Sequence, residues 1–393
     1  MRIALVAPWF HPHVGGVESH VRSLAGELAR RDHRVTVLTS NYARLPEKET
    51  MEGFAVERAR SLGVLFRTPV TPAIRRAIVP GRFDVVHAHS PPPLSAYYAA
   101  TAAERAGTPF IVTYHCDLEI PTPFGNALTN LYQRTFGRAT MRRASKLIVS
   151  TETYAATSRA IWRYIPEVIP NPVDAQRFRP DVDGARVRER LRIRSEDRVV
   201  LMVARIVPHK GIEHLVEAAK FVPDAMFVIV GDGPFLPDVR RLAAEFGVED
   251  RVLVQGKVPH RDLPEYYAAC DVFVLPSVSR LEAFGIVALE AMATAKPVVV
   301  SDIPGVREVV TDGVEGLLAE PVNPEDLAAK IGRLLADPGR RRQMGARGRE
   351  KVEAKFRIDR VADAVLNVYS EVIPAVRPAL PPIGRRPGGG ARP

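Results

Sequence analysis

The sequence predicts an α/β protein with two doubly wound domains, each built on a parallel sheet with helices on both faces. Short apolar runs rich in β-branched residues alternate with helical stretches along the chain, and strands that are apolar on both sides are typical of buried parallel sheets. The runs form two series, separated by a proline-rich segment. The 393 residues suffice for two or three domains with a core each.

The first series predicts the sheet of an N-terminal domain over residues 1–170. The opening run is too short for the apolar region of a signal peptide, so we interpret it as the first strand. The predicted strands of this domain are Ile3–Ala7, Arg34–Leu38, Phe54–Glu57, Phe83–His87, Phe110–Thr113 and Lys146–Val149.

The second series predicts a C-terminal domain over residues 171–373. The boundary lies within residues 169–180, where three prolines disfavour helix and favour an extended linker. The last predicted helix of this domain can cross back to the N-terminal domain. Residues 374–393 contain six prolines and four glycines, so we expect a disordered tail. The predicted strands are Val199–Val203, Met226–Val230, Val252–Val254, Val272–Leu275, Pro297–Val300 and Gly316–Leu318.

The composition is that of an ordinary folded protein. With 46% hydrophobic and 25% charged residues, it excludes collagen-like, coiled-coil and wholly disordered chains. The two cysteines, Cys116 and Cys270, cannot build a disulfide framework and favour a reducing compartment, so we expect a cytoplasmic location. No apolar run approaches the length of a membrane span, which leaves peripheral contact as the expected way to reach a membrane.

Positive charge is concentrated in the first half of the chain. The formal net charge is +10, and residues 1–180 hold 23 Lys and Arg against 14 Asp and Glu. This excess suggests an anionic partner such as phospholipid head groups, nucleic acid or a phosphorylated substrate. An arginine-rich solvated surface without a specific partner explains the same excess.

The most informative motif runs from Ser277 to Glu290. A buried strand ends at Leu275 and a helix begins near Gly285, so the amides of Phe284, Gly285 and Ile286 are expected to point into a cleft. A helix N-terminus of this kind suits a diphosphate, because its free N–H groups and its dipole both favour anions. Glu290 lies inside the helix, where a carboxylate can accept from ribose hydroxyls, and Glu282 precedes the helix. The alternative is that Glu282 only caps the helix and Glu290 pairs with a neighbouring cation.

A second motif, Val203-Ala-Arg205-Ile-Val-Pro-His-Lys210-Gly, also follows a strand. Ligands of doubly wound sheets bind at the carboxyl ends of strands, so Arg205 and Lys210 are expected in the same cleft. Both cations suit a diphosphate, although two solvated residues beside a turn are equally compatible with the pattern.

The segment Val230-Gly-Asp-Gly233-Pro is a weaker signal at the end of the next strand. It lacks the third glycine of a dinucleotide fingerprint, and the chain contains no Gly-Lys-Ser/Thr phosphate loop. The sequence therefore lacks the motif expected for hydride transfer with a dinucleotide and the motif expected for ATP hydrolysis.

Polar groups also follow the strands of the first half. Trp9, Gly15, Gly16 and Glu18 lie between the first strand and a helix, where adjacent glycines allow close approach of a phosphate or sugar. Five histidines of the first half raise the question of a zinc site: His11, His13, His87, His89 and His115. No pair of them has the spacing of zinc ligands on a helix, and no Cys-x-x-Cys accompanies them, so we expect no metal site.

Together the motifs resemble those of the family 4 retaining glycosyltransferases with the two-domain GT-B fold, over nearly the whole chain up to about residue 373. The resemblance depends on Gly15-Gly16-Val-Glu, Arg205 with Lys210-Gly, and Glu282 with seven residues before Glu290. The opening most resembles members that glycosylate phosphatidylinositol. Two departures are Ala204 in place of the usual glycine and Pro304 in place of the first glycine of a Gly-Gly pair.

The resemblance implies a role for each matching residue. Arg205 and Lys210 bind the donor diphosphate, Glu282 lies beside the donor sugar, and His115 contacts the sugar and acceptor. These four are the expected catalytic residues. The expected donor-binding set adds Gly16, Gly233, Val258, Phe284, Gly285, Ile286 and Glu290, with Val258 at the base and Glu290 at the ribose. Trp9, Gly15, Glu18 and His115 are expected at the acceptor.

The implied reaction moves a hexosyl unit, such as mannose, glucose or N-acetylglucosamine, from a nucleotide diphosphate sugar to a lipid-linked or small polyol acceptor. No metal or other cofactor is implied. The sequence leaves two mechanisms open, attack from the face that the diphosphate leaves and a covalent intermediate on Glu282.

Four alternative functions remain open: a sucrose- or trehalose-type synthase, a phosphorylase, a sugar-nucleotide epimerase and a non-catalytic sugar-nucleotide binder. A nucleic-acid binder is disfavoured, because no recognition motif is present.

Two basic segments of the first half are candidates for contact with an anionic membrane. Residues 128–143 place Leu128, Leu131, Tyr132, Thr135 and Phe136 on one helical face, with arginines elsewhere. Residues 58–78 mix arginines with apolar residues that include Leu62, Val64, Leu65 and Phe66. Such stretches suit an anionic leaflet, and a stripe that faces the protein core is the alternative for each.

Overall fold

The computed structural model describes residues 1–13, 15–42, 44–65, 68–91, 94–118 and 123–373. The predicted tail, 374–393, lies outside the described residues, as do Phe66 and Arg67 of the basic segment 58–78. The structure confirms the predicted class, because the chain forms two doubly wound α/β domains with parallel central sheets.

The first sheet takes its strands from the N-terminal part of the chain. The strands of this domain are β1 (Arg2–Val6), β2 (Arg34–Asn41), β3 (Lys48–Met51), β4 (Phe54–Arg60), β5 (Val64–Leu65), β6 (Thr68–Pro69), β7 (Val85–Ser90), β8 (Phe110–Tyr114), β9 (Lys146–Val149) and β10 (Glu167–Val168). From one edge of the sheet to the other their order is β10-β9-β8-β7-β1-β2-β4-β3, and the pairs are parallel except β3 with β4. β5 and β6 form a separate hairpin.

Helices cover both faces of this sheet. A 3₁₀ helix spans Pro72–Ala77, and a π-helical turn, Gln133–Gly137, joins α3 to α4. The α-helices are α1 (Gly16–Arg30), α2 (Ser95–Ala106), α3 (Pro123–Tyr132), α4 (Arg138–Arg143) and α5 (Glu152–Thr157).

The second sheet has the order β13-β12-β11-β14-β15-β16, with parallel pairs throughout. Its strands are β11 (Arg198–Val203), β12 (Ala225–Val230), β13 (Val252–Gly256), β14 (Val272–Leu275), β15 (Val298–Ser301) and β16 (Gly316–Ala319). The helices are α6 (Ala185–Arg190), α7 (Ile212–Ala218), α8 (Leu236–Glu245), α9 (Leu263–Ala269), α10 (Ile286–Ala293), α11 (Val306–Val309), α12 (Pro324–Leu335), α13 (Pro338–Lys351) and α14 (Ile358–Val372). Short 3₁₀ helices span Pro208–Lys210, Ala219–Phe221 and His260–Asp262, and a π-helical turn spans Val352–Phe356.

Helix α14 lies against the first domain rather than the second. Its apolar face packs into the same core as α1 and β1. The Tyr369 hydroxyl is 2.7 Å from Nδ1 of His87 on β7, and Arg31 at the end of α1 pairs with Asp363 at 2.5 Å. The last helix therefore ties the C-terminal end of the described chain to the first sheet.

The segment 128–143 differs from the single amphipathic helix predicted for it. It is divided among α3, the π-helical turn and α4, and its buried positions are mostly small residues such as Thr129, Gly137 and Thr140. The larger Leu131 and Phe136 remain exposed at 59% and 42%. They therefore do not form the core-facing stripe that was one interpretation of the pattern.

Candidate active site

The residues predicted to act on a ligand lie on the loops that follow strands, or in the first two turns of the helices after those loops, in both domains. In the second domain, the loop after β14 leads into α10, with Gly285 as the N-cap residue. Gly285 has φ 83°, and a Cβ atom there would lie 3.0 Å from Leu275 Cδ2, so this position favours glycine. The Phe284 side chain is buried edge-on against Phe356, with ring centroids 6.0 Å apart.

Lys210 and Glu282 form an ion pair between the loops after β11 and β14. Lys210 Nζ contacts Glu282 Oε2, and Ser277 Oγ donates to the same oxygen at 3.2 Å. Gly211 has φ 65°, and a Cβ atom there would lie 2.0 Å from the carbonyl oxygen of Pro276. The two loops therefore pack backbone against backbone, and this contact fixes the position of the Lys210 backbone.

Arg205 is exposed on the loop that carries Lys210. That loop is held to the one after β12, because Ile206 N donates to Asp232 O at 2.9 Å. Between the two cations, His209 is half-buried; its burial, followed by the charges of Lys210 and Arg205, lowers its pKa to about 4. The positive potential near this loop therefore comes from the lysine and the arginine, with His209 neutral at neutral pH.

Gly233 lies beneath the Arg205 loop. A Cβ atom at this position would come within 2.2 Å of Ile206 O, so the glycine permits the two loops to pack closely. Gly231 N donates to Gly256 O at 2.9 Å, which brings the loop after β13 alongside. Val258 on that loop is half-buried and packs against the second-domain core.

Glu290 is a buried carboxylate, 8% exposed, on the second turn of α10. The Tyr267 hydroxyl donates to its Oε2 at 2.6 Å. Burial raises the pKa of Glu290 to about 7, while the Tyr267 hydrogen bond and the charge of Arg177 act in the opposite direction. Near neutral pH, a small change in surroundings is therefore sufficient to change its charge.

On the first-domain side, Trp9 and Glu18 belong to one cluster at the start of α1. The Trp9 ring lies 4.5 Å from that of Tyr42, edge to face, and His13 Nδ1 is 3.3 Å from Glu18 Oε1. A Cβ atom on Gly15 would lie 2.4 Å from Glu18 Oε2. Glu18 therefore lies back over the N-cap residue, as a carboxylate at this position of a helix commonly does.

His115 follows β8 and is one of a group of buried histidines. Its Nε2 lies 3.0 Å from His89 Nδ1, and its ring centroid is 5.2 Å from that of His20 on α1. The two ring nitrogens of His87 form hydrogen bonds, Nδ1 with the Tyr369 hydroxyl and Nε2 with Thr113 Oγ1, each at 2.7 Å. Burial is the main cause that lowers the pKa of each; the pKa of His20 falls to about 4 and that of His87 to about 3. The group is therefore neutral at physiological pH.

The structure brings the two sets of loops together. A Cβ atom on Gly16 would lie 3.6 Å from Ile286 Cδ1, so the N-termini of α1 and α10 face each other. Asp117, two residues after His115, is 3.5 Å from Arg280, two residues before Glu282.

A cleft of about 1330 Å³ between the domains is lined by Glu18, His20, Ile286 and Glu290 among others. Its lining does not include Arg205, Lys210 or Glu282, so the cleft contains only part of the predicted site.

Sequence reasoning missed the residues that support the predicted ones. Ser277 and Arg280 lie within the predicted motif but had no role assigned to them. Tyr267 comes from α9, which carried no ligand signal. His87 and His89 were noted for their alternation along a strand, which placed them on one face, but this could not show that His89 would contact His115.

The described residues contain no group of three or more His, Cys, Asp or Glu side chains arranged to hold a metal ion. Within the same part of the chain, no helix is both long enough and apolar enough to cross a bilayer.

Comparison with known proteins assigns a family to each half of the chain. Residues 14–177 match the family model described as Glycosyltransferase Family 4. Residues 184–351 match the model described as Glycosyl transferases group 1. The first match ends within the linker between the sheets and the second begins just after it, so each covers most of one domain.

Relatives with similar sequences span almost the whole chain. A GDP-mannose-dependent alpha-(1-6)-phosphatidylinositol monomannoside mannosyltransferase from Mycolicibacterium smegmatis is 32% identical, over 88% of this chain and 92% of the relative. A D-inositol 3-phosphate glycosyltransferase from Acidothermus cellulolyticus is 32% identical, over 96% and 92%. Among solved structures, a sucrose-phosphate synthase from Thermosynechococcus elongatus has a TM-score of 0.79 and 25% identity, over 94% of this chain and 98% of that one.

Proposed function

Because the chain belongs to the family 4 glycosyltransferases of the GT-B fold, we propose that it moves a hexosyl unit from a nucleotide diphosphate sugar to an acceptor hydroxyl, with retention of configuration. The observation that carries the proposal is the Lys210–Glu282 pair beside the N-terminus of α10. It places a cation and a carboxylate at the carboxyl ends of two adjacent strands, where doubly wound sheets bind their ligands.

The donor diphosphate would bind to the cationic end of this site. Lys210 and Arg205 supply positive charge, and the amides of Phe284, Gly285 and Ile286 at the start of α10 add donors that favour an anion. Gly16 faces Ile286 from the first domain, and Gly233 keeps the Arg205 loop close to its neighbour. These groups would stabilise charge on the departing nucleotide diphosphate, the main electrostatic demand of the reaction, so we expect transfer without a bound metal.

The remaining predicted residues would hold the rest of the donor and the acceptor. Glu290, buried and bonded to Tyr267, would accept from the ribose hydroxyls, and the backbone at Val258 would contact the base. His115 would contact the transferred sugar. The acceptor would lie against Trp9, Gly15 and Glu18, which lie close to the start of α1 in the first domain.

Glu282 is better suited to electrostatic stabilisation than to nucleophilic attack. One of its carboxylate oxygens already contacts Lys210 and accepts from Ser277. Both contacts lower the energy of the negative charge and so reduce its tendency to form a covalent bond. This supports attack from the face that the diphosphate leaves, with Glu282 stabilising the oxocarbenium-like transition state.

The relatives favour a phosphoinositol-type acceptor and a mannose donor. One relative is named for GDP-mannose and phosphatidylinositol monomannoside, and another for D-inositol 3-phosphate, so a free inositol phosphate is the second candidate acceptor. The direct assay supplies GDP-mannose, UDP-glucose or UDP-N-acetylglucosamine with each acceptor, and determines the product's new anomeric bond by NMR. An α bond formed from an α donor supports the proposal, and a β bond contradicts retention.

A lipid-linked acceptor requires contact with a membrane surface, which the predicted cytoplasmic location would place at the cytoplasmic face. Apolar side chains are exposed in both basic segments, at Leu62 (74%) and Leu65 on the hairpin side and at Leu131 and Phe136 on α3 and its π-helical turn. Arginines lie close to both groups in the sequence, as an anionic leaflet would require. Flotation of the protein with vesicles that contain phosphatidylinositol, but not with neutral vesicles, is the expected result.

A further inference from the structure

Helix α5 of the first domain is held at both ends by the second domain. Glu308 on α11 accepts hydrogen bonds from Glu152 N, at 3.0 Å, and from Thr153 N. At the other end, Arg280 donates to Thr157 O. A carboxylate at a helix N-terminus and a guanidinium at its C-terminus match both the unpaired backbone groups and the helix dipole.

Glu308 on α11 and Arg280 on the loop after β14 belong to segments that are packed together. Gly305 N donates to Thr153 Oγ1 at 3.1 Å, so the loop before α11 also contacts α5 directly. Gly305 has φ 93°, and a Cβ atom there would lie 2.1 Å from Ala283 O. The α11 loop is therefore seated on the residue next to Glu282, and a shift of one loop must be accommodated by the other.

Arg280 also reaches the loop that carries His115. Its partner Asp117 is buried and already accepts from Ser158 Oγ at 2.5 Å, Tyr114 OH at 3.1 Å and Arg159 N at 3.1 Å. These bonds fix the carboxylate, which lies 3.5 Å from the Arg280 guanidinium. The contact therefore joins the backbone near His115 to the backbone near Glu282 through a single ion pair.

We propose that Arg280 and Glu308 are positioning residues, which hold α5 between them and thereby set the placement of Glu282 relative to His115. The proposal rests on the proposed function for the role of those two residues, but the contacts that carry it do not. Neither positioning residue belongs to the expected donor-binding set. Their loss should therefore slow the transfer step and leave donor binding unchanged.

The kinetic test compares Glu308→Ala and Arg280→Gln with Thr153→Val, which alters the same junction from the first-domain side. We expect kcat to fall about tenfold or more in the first two variants, because small misplacements of reacting groups are costly, and less in the third. The donor Kd from calorimetry should stay within about twofold of the wild-type value. Glu104→Ala is the matched control, since its partner Arg143 lies in the same domain, and it should change neither quantity.

Hydrogen exchange gives a readout that does not depend on activity. The amides of Glu152 and Thr153 should exchange faster in Glu308→Ala than in the wild type and the Glu104→Ala control. Unchanged exchange would overturn the proposal even if no glycosyl transfer were detected. Faster exchange with an unchanged kcat would also overturn it, because the contacts would then be structural only. If donor binding weakened in parallel with kcat, the two residues would belong to the donor site instead.

Discussion

Lys210 Nζ contacts Glu282 Oε2, and this ion pair joins the loops that follow two adjacent strands of the second sheet. Both side chains are largely shielded from solvent, so each charge depends on the other. Removing either one leaves a poorly solvated charge without its main partner, which is more costly than losing a surface ion pair. The pair therefore offers the first tests of the site.

We predict that Lys210→Ala lowers kcat by about a hundredfold or more, the loss typical of removing one preorganised group that stabilises charge in a transition state. Lys210→Arg, which keeps the charge but changes its shape, should retain more activity. The measurement is steady-state kinetics on variants whose folding is checked by circular dichroism. Full activity in a folded Lys210→Ala protein would remove Lys210 from the proposed chemistry.

Donor binding should release protons near neutral pH, because a ribose favours the charged form of Glu290, whose pKa burial raises to about 7. A nucleotide sugar should therefore bind more tightly as pH rises from about 6 to about 8. His209 and His260, whose pKa values fall to about 4 through burial, titrate below this range.

Calorimetry in two buffers of different ionisation enthalpy measures this proton release. In Glu290→Gln the release should disappear and the affinity should be weaker at pH 8. If the variant binds the donor with wild-type affinity and the same proton release, the ribose role of Glu290 is wrong.

Gly211→Ala should destabilise the second domain by more than the usual cost of a positive φ. That conformation costs about 1–2 kcal/mol for an alanine, and here the Cβ atom would also lie 2.0 Å from Pro276 O. Gly313 is the matched control, because it has φ 78° and a Cβ atom there would meet no atom of the described residues within 4 Å. Chemical denaturation should show a larger loss for Gly211→Ala than for Gly313→Ala; equal losses would mean that the loops can separate without cost.

Acid should destabilise the first domain through its buried histidines. Burial lowers the pKa of His20 to about 4, whereas an unfolded histidine titrates near about 6.5. Between these values the unfolded chain binds more protons, so the free energy of unfolding falls as pH is lowered, by up to about 1.4 kcal/mol per pH unit for each such group.

His20→Gln tests this linkage, because it removes one titrating ring and can keep a hydrogen bond to Asn171, the partner of the His20 side chain. The variant should show a shallower dependence of unfolding free energy on pH between about 4 and 6.5. An identical slope in both proteins would show that His20 does not titrate upon unfolding.

How far the sequence predicted the structure depended on whether the signal was local. The strand ends that carry Lys210, Glu282 and Glu290 lie next to their motifs, so apolar runs and loop residues sufficed to locate them. The short edge strands β3 and β10 were not predicted, because they are partly exposed and lack a continuous apolar run. Tyr267 contacts Glu290 across the second-domain core, which contains residues of both α9 and α10. A local sequence pattern does not predict such a contact.

The donor site is the part of the molecule on which the proposed function depends most. The most direct measurement is calorimetric titration of GDP-mannose, UDP-glucose and UDP-N-acetylglucosamine into the wild type, Lys210→Ala and Glu290→Gln. We predict saturable binding of at least one donor to the wild type, weakened about tenfold or more by each substitution. Binding of none of the three donors, or binding that neither substitution changes, would contradict the assignment of this site.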